Sequence, residues 1–324
     1  MTFPTDRRLV ALVSGLGWHV QDLLRAAPRV GVGLTPVPFA SVTGRVGTGT
    51  PALAAGGVDL AAADGVLVRM MPPGTLEGVV FRMDALHRLV AAGVPVLNPP
   101  AAVEAAVDKY LATARLDAAG LPVPPTWCGE SAEAAREAFE ALGGDVVVKP
   151  LFGSEGRGLV RLTDRETAGR VFHALERIGS VLYLQKFVPN PGSDLRLFVL
   201  GGRVLGAIRR HAPPGDWRAN VAIGGRAEAF TPDGALVATA LRAARAVGAR
   251  LAGVDILPGA DGTSYVIEVN AVPGWRALAA ATGKDVAAAI LADLRDGAGA
   301  GRDAAPGGPA HPHPPAPSPL AGEG

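Results

Sequence analysis

In the stretch VIEVN, residues 266–270, a carboxylate (Glu268) and a carboxamide (Asn270) stand two positions apart among the strand formers Val266, Ile267 and Val269. Side chains alternate across a strand, so these two oxygen-bearing groups are expected on one face. The run GVDIL, residues 253–257, is joined to them by a turn around Gly-Ala-Asp-Gly at 259–262 and can set Asp255 opposite. Carboxylates buried together are costly unless compensated, so a cation is the natural counter-charge. All three donors are hard oxygens with no Cys or His beside them, which selects Mg2+ or Mn2+ over Zn2+. Magnesium held by few carboxylates usually shares its remaining positions with substrate phosphates. A structural salt-bridge or hydrogen-bond cluster is the competing account of the same residues.

A second group lies upstream, in VVVKPLFGSEGRGL at 146–159. Lys149 ends an apolar strand, and Gly153, Ser154, Gly156 and Gly158 follow. Glycines let a loop fold its N–H groups around phosphate oxygens, with the lysine adding positive charge at its base. The Walker order is absent, and so are the H-R-D and D-F-G signatures of kinases. Alone, the segment reads equally as a plain glycine hairpin. With the late oxygen cluster it points to a nucleoside triphosphate bound with Mg2+. The Gly15-x-Gly17 pair lacks a third glycine and a downstream acid, so it reads as a turn and not a dinucleotide fingerprint.

Several elements must hold these groups in place. Strand patterns at RRLVALV, DGVLVRMMP (64–72) and VPVLNP alternate with helical ones at WHVQDLLRAA and GVVFRMDALHRLVAAG, which predicts a small open α/β domain over residues 1–100. The second helix is expected to bury Met83, Leu86, Leu89 and Val90 on one face. A helix follows from about Ala101 to Ala119, stopped by Gly120. Ser131 caps another, with Ala135, Phe139 and Leu142 inward. Strands DVVVKPL, LVRLT and VLYLQKFV come next, then a hairpin turned at Gly201-Gly202, a helix, and the strand pair of the oxygen cluster. From Gly297 on, Gly, Pro and Ala dominate. Such a segment cannot bury enough surface to offset its ordering entropy, so 297–324 is expected to be disordered and its His311 and His313 solvated.

Composition narrows the classes. The 324 residues allow two or three compact units, and 48% apolar content supports sizeable cores. With 31 basic against 30 acidic residues, nothing calls for a nucleic-acid or membrane-surface partner. The single cysteine, Cys128, excludes an internal disulfide and suits a reducing, cytoplasmic setting. No targeting segment is expected, and no run approaches the roughly 20 apolar residues of a membrane helix.

At this level the chain resembles the ATP-grasp superfamily of carboxylate–amine ligases. Within it the chain is similar to the RimK-type branch, which adds amino acids, often glutamate, to a carboxyl group. The stretches that carry the resemblance are DKYLATARLDAAGLPVPPT, VVVKPLFGSEGRGL, LYLQKFVPNPGSDLRLFVLGGRVLGAIRR, GDWRANVAIGG, AGVDIL and VIEVNAVPG, spread over residues 95–292. It implies an α/β (α+β) ATP-grasp fold: two α+β lobes clasping ATP, behind a small open α/β N-terminal domain. The implied limits are 1–97 for that domain and 98–296 for the ATP-grasp part, with 120–186 as the central lobe, and 297–324 as the tail. By position, Lys109 and Lys149 would contact the nucleotide phosphates, together with Ser154 and Gly156 of the loop. Lys186, Phe187 and Val188 would meet adenine through main-chain groups, and Asp194 would lie near the ribose. Arg218, Ala219 and Asn220 would reach the phosphates. Arg210, with Lys149, would be catalytic and face the transferred phosphoryl group. Asp255, Glu268 and Asn270 match the family's ligands for Mg2+ or Mn2+, expected as two ions.

Two departures stand out: Lys186 where glutamate is common, and Arg209 where close relatives often carry glutamate, which bears on substrate charge preference. The implied reaction joins an amino acid to a small-molecule or peptide carboxylate, with the loop Phe152–Gly158 as a lid. Arg226, Trp275 and Arg276 are candidates for holding an anionic or ring-bearing group. Overall resemblance favours a small coenzyme-like acceptor, such as a tetrahydromethanopterin-type pterin. A dipeptide or D-alanine-type ligase and a silent nucleotide-binding regulator are the alternatives. The oligomeric state, monomer or homo-oligomer, is left open.

Overall fold

The computed structural model describes residues 7–47, 51–153, 158–219 and 225–300. The first apolar run forms β1 (Arg7–Val13), whose last five residues are buried. It is central in a parallel sheet with β2 (Val32–Pro38), β6 (Gly65–Val68) and β7 (Val96–Leu97), in the order β2-β1-β6-β7. Continuous apolar strands of this kind need cover on both faces. Helix α1 (Trp18–Val30) packs on Leu9, Ala11 and Val13, and α2 (Leu76–Ala91) on Val10 and Leu12. On α2, Met83, Leu86 and Leu89 are buried as expected, but Val90 is 44% exposed and Ala85 faces inward instead.

Residues 31–63 carried no strand expectation. They form β2 and a small antiparallel sheet of β3 (Val42–Gly44), β4 (Leu53–Ala55) and β5 (Val58–Asp59). Pro36 and Pro38 argue against a strand, yet β2 lies at the sheet edge, where a missing N–H is tolerated.

The single helix expected over 101–119 is two, α3 (Pro100–Val107) and α4 (Lys109–Ala118). Asp108 between them is extended (φ −86°, ψ 105°), and its carboxylate accepts from Leu111 N at 3.0 Å. Aspartate competes with helix continuation by capping a new start. The break puts Lys109 in the first turn of α4.

An antiparallel sheet in the order β10-β9-β11-β8 follows, built from β8 (Thr126–Gly129), β9 (Val146–Lys149), β10 (Val160–Leu162) and β11 (Leu182–Lys186). It is backed by α5 (Ala132–Ala141) and α6 (Arg165–Arg177), where Phe139 and Phe172 meet edge to face. The last sheet runs β14-β13-β12-β15-β16: β12 (Ser193–Leu200), β13 (Arg203–His211), β14 (Arg226–Phe230), β15 (Leu251–Pro258) and β16 (Ser264–Asn270). One face packs on α3, α4 and α7 (Gly234–Ala246). On the other, Phe198, Leu200 and Ile208 share a core with α1, α8 (Arg276–Thr282) and α9 (Val286–Ala300).

Helix α9 continues past Gly297, where composition placed the end of order, to Ala300; Val286, Ile290, Leu291 and Leu294 hold it against α1. The rest of the tail, with His311 and His313, lies outside the described residues. Asn98 ties the N-terminal sheet to the last one: its amide donates to Leu251 O and Ala271 O, and its oxygen accepts from Arg250 N and Leu251 N. Among the described residues no helix is long and apolar enough to cross a membrane.

Candidate active site

Strand register builds the site. On the sheet of β12–β16, Asp194 pairs with Arg210, Arg196 with Asp255, and Asp255 with Glu268. Cross-strand partners lie close on one face, so these side chains form a row of charged groups in which the like-charged Asp255 and Glu268 stand side by side. Arg210 donates to both Asp194 oxygens at 2.6 and 2.7 Å and lies 2.9 Å from Asp255 Oδ2. Arg196 donates twice to Asp255, each at 2.6 Å. Burial alone would raise the Asp255 pKa, but Arg196 and Arg210 outweigh it and hold the carboxyl below its ordinary range. Glu268 goes the other way: burial, then repulsion from Asp255, push it up against the pull of Arg196, Lys109 and Lys149.

A β-bulge sets the phase of the VIEVN strand. Asp255 pairs with Glu268 but Ile256 pairs with Val266, leaving Ile267 as the extra residue. Strict alternation would put Val266 on the Glu268 face. Instead Val266 and Val269 both enter the core behind the sheet, while Ile267 lines the cleft in front. Bulges of this kind re-aim side chains next to functional sites.

Across the cleft, β9 ends at Lys149, which is largely withdrawn from solvent. Burial lowers its pKa from 10.5 to about 8, although Glu268 and Asp255 act to raise it. Its Nζ donates to Gln185 Oε1 at 2.6 Å, and Gln185 Nε2 donates to Thr126 Oγ1 at 3.0 Å. Lys109, from the break between α3 and α4, donates to Gly153 O at 2.8 Å, and so anchors the start of the glycine-rich segment. Burial lowers its pKa against the attraction of Glu268. Both lysines are thus within electrostatic reach of Glu268.

The cleft between the two sheets holds about 620 Å³. Lys149, Lys186, Phe187, Val188, Asp194, Arg218 and Ala219 all line it. At the connection between the lobes, Lys186 N donates to Pro125 O and Phe187 N to Asp145 O. Val188 N–H makes no main-chain hydrogen bond among the described residues. Trp217 lines the same cleft and meets Phe187 edge to face at 5.9 Å.

A RimK-like ATP-grasp domain model matches residues 106–294. The chain is 36% identical over 318 residues to a tetrahydromethanopterin:alpha-L-glutamate ligase of Methanosarcina acetivorans, covering 89% of this chain and 98% of that protein. The chain belongs to the RimK-like ATP-grasp family. It is also 33% identical to a probable alpha-L-glutamate ligase of Parasynechococcus marenigrum, over 74% of this chain and about half (51%) of that protein's length. Among solved structures, the ATP-grasp ligase PsnB with its minimal precursor superposes with a TM-score of 0.71 at 24% identity, covering 92% of this chain and 99% of that one. A RimK domain protein from Sphaerobacter thermophilus gives 0.68 at 25% identity, over 89% and 98%. The mixed α/β architecture is therefore the ATP-grasp fold, and the protein is a ligase of that family.

The ATP-grasp fold implies ATP with magnesium, and the oxygen set fits such an ion. Glu268 is a half-buried carboxylate with no hydrogen-bond partner among the described residues, the kind of group a cation satisfies. Asn270 Oδ1 accepts from Val272 N at 2.8 Å, which orients it and leaves a lone pair. Asp255 can contribute only if it shares oxygens now bonded to Arg196 and Arg210. No group of three His, Cys, Asp or Glu is gathered among the described residues, as suits a set completed by a carboxamide.

The other residues expected at this site fall as follows. Ser154, Gly156 and Asn220 lie outside the described residues, as does most of the expected lid. Asp194 is bound at both oxygens by Arg210, and Arg218 is held by its neighbour Asp216 at 2.7 Å. Arg209 points to the face opposite Arg210, its guanidinium 4.9 Å from the Phe230 ring, so strand alternation removes it from the cleft. Trp275 is 1% exposed, packed on His19 and bonded to Asp22, so its ring is a core group and not an acceptor platform. Arg226 is exposed and paired with Glu228. Arg196, Gln185, Ile267 and Trp217 went unpredicted. For Arg196 the signal was present, because DLR puts it two residues from Asp194 and hence on the same face.

Proposed function

We propose that the protein joins L-glutamate to a carboxyl group of a small coenzyme-like acceptor, in an ATP-dependent reaction that passes through an acyl phosphate. In the first step a carboxylate oxygen of the acceptor attacks the γ-phosphorus, the bond to the bridging oxygen breaks, and ADP leaves. In the second the amino nitrogen attacks the acyl carbon, phosphate leaves, and the nitrogen gives up a proton, so an amide remains. No protein nucleophile is needed, because phosphoryl transfer depends mainly on positioning and charge.

The observation that carries this reading is the opposition of Lys109 and Lys149 to Glu268, with Asp255 paired beside it across the strands. Lys109 and Lys149 offset phosphate charge, and Arg210 meets the transferred phosphoryl group. Phe187 and Val188 take adenine, with Trp217 beside them, and Asp194 lies toward the ribose. Asp255, Glu268 and Asn270 would hold magnesium, two ions in all; when bound it neutralises charge on the β- and γ-phosphate oxygens. The match along nearly the whole length of the Methanosarcina protein favours a tetrahydromethanopterin-type pterin as acceptor.

The test is incubation with ATP, Mg2+, isotope-labelled L-glutamate and either a reduced pterin bearing a carboxylate or a metabolite extract. A product heavier by one glutamate residue, with stoichiometric ADP, is expected. ADP release that ignores glutamate but responds to another amine in a panel would replace glutamate as the donor. Release that responds to no amine would overturn the ligation.

A further inference from the structure

In the parallel sheet β2-β1-β6-β7, the chain leaves β1 toward one edge and β6 toward the other. Ligands of such sheets bind beyond the carboxyl ends of the strands where the order reverses, here β1 and β6. Arg69 follows β6 at this point, its N–H donating to Leu12 O of β1. It is 5% exposed, and among the described residues its one side-chain hydrogen bond is from Nη1 to Val272 O at 3.3 Å. Among the described residues no carboxylate bonds to it, and burial lowers its pKa to about 10. Yet no buried side-chain nitrogen among the described residues lacks a partner, so the guanidinium nitrogens without a hydrogen bond keep some exposure to solvent.

The surroundings are those of an anion site. The Arg69 guanidinium stacks 4.9 Å from the Trp275 ring centroid. Trp275 N donates to His19 Nε2 at 3.2 Å, so neutral His19 carries its proton on Nδ1, which has no partner among the described residues. The nearest acid, Asp22, is engaged by Trp275 Nε1 and Arg25. The N-terminus of α1 opens here: Trp18 and His19 amides make no main-chain hydrogen bond, and a Cβ at Gly15 or Gly17 would meet nothing within 4 Å. Free amides at a helix start favour an anion. The site adjoins the oxygen set, because Val272, whose carbonyl takes Arg69, donates its own N–H to Asn270.

We infer that Arg69, the free amides of α1 and His19 Nδ1–H hold a carboxylate of the incoming amino acid. This rests on the ligase reading above. Glutamate brings two carboxylates, neither of which reacts, and each needs a cationic partner once desolvated. Lys109 and Lys149 face Glu268, Arg196 and Arg210 are bound to Asp255, and Arg69 is the buried cation left without an acid.

The test is calorimetric titration of L-glutamate into the protein with Mg2+ and a non-hydrolysable ATP analogue. Arg69→Gln is expected to weaken glutamate at least about tenfold, as for loss of a charged hydrogen bond, and to leave analogue affinity unchanged. Gly17→Asp supplies a variant that folds: Gly17 is the extended N-cap of α1 (φ −68°, ψ 179°), where aspartate is favoured. It should melt no lower than wild type, yet bind glutamate at least about tenfold more weakly, because its carboxylate occupies the anion's place. Wild-type glutamate affinity in either folded variant overturns the inference, and so does wild-type protein that binds the analogue but no glutamate. Failure to bind the analogue at all overturns the ligase reading and this inference with it.

Discussion

Replacing Lys149 with methionine probes stability and binding at once. The native environment lowers the lysine's pKa from 10.5 to about 8, chiefly by burial, with Lys109 adding repulsion while Glu268 and Asp255 act the other way. Because the folded value lies below the unfolded one, the charged form is penalised by folding. That penalty is fully present below pH 8 and fades as pH rises toward 10.5. At about 1.4 kcal/mol per unit, it amounts to roughly 3 kcal/mol at neutral pH, an upper bound because Lys149 is not wholly buried. Methionine deletes the penalty but also the hydrogen bond to Gln185 Oε1, leaving a buried acceptor unpaired at a cost of about 1–3 kcal/mol. The net expectation at neutral pH is a protein as stable as wild type or up to about 2 kcal/mol more so.

Binding should move the other way. A triphosphate favours the charged lysine, so its loss should weaken an ATP analogue about 10- to 100-fold. Wild-type affinity should also fall as pH climbs above 8, while the methionine variant stays flat over that range. Urea melts give the stability and fluorescence titration of the analogue gives the binding. A variant destabilised by more than about 2 kcal/mol with unchanged analogue affinity would refute both halves, making Lys149 a structural cation.

Two further outcomes follow from the same geometry. Glu268→Ala should fold, since that carboxylate has no hydrogen bond among the described residues to lose, yet fail to bind Mn2+ in the presence of an ATP analogue by electron paramagnetic resonance. Its glutamate-dependent ADP release should drop at least about 100-fold, and retention of wild-type turnover would remove Glu268 from the metal set. Asn98→Ala should destabilise the protein by about 3 kcal/mol or more, because it strands buried main-chain groups of Arg250, Leu251 and Ala271; a loss under about 1 kcal/mol in urea unfolding would show that water replaces the side chain.

Residue type and local spacing were enough to single out Asp255, Glu268, Asn270 and Lys149 and the strand–helix alternation of the N-terminal sheet, whereas Lys109 came only from the family resemblance. What escaped depended on partners distant in sequence. The bulge at Ile267 is a property of pairing with β15, so strict alternation misassigns Val266. The interruption at Asp108 needs Lys109 tied to Gly153 to make its purpose visible. β2 was hidden by its prolines, which only an edge position excuses. Trp275 looked like a binding ring because nothing local predicts that α1 covers it with His19. Arg69 drew no attention inside VRMMPPG, because a lone arginine after a strand is ordinary until its burial and missing acid are seen.

The charge row also bears on how the ion enters. Lys109, Lys149, Arg196 and Arg210 face Asp194, Asp255 and Glu268, so the bare site carries more cationic than anionic groups. A divalent cation arriving alone would meet Arg196 and Arg210 already bonded to one of its donors, with like charge a few ångströms away. At an effective dielectric near 20, a unit charge facing a double charge at about 5 Å costs roughly 7 kcal/mol. On the proposed reading, a triphosphate would offer the lysines and arginines its own oxygens and so leave Asp255 available to a metal. What the arginines on β12 and β13 do in this structure is keep a buried carboxylate ionised, since both pull the Asp255 carboxyl below its ordinary range.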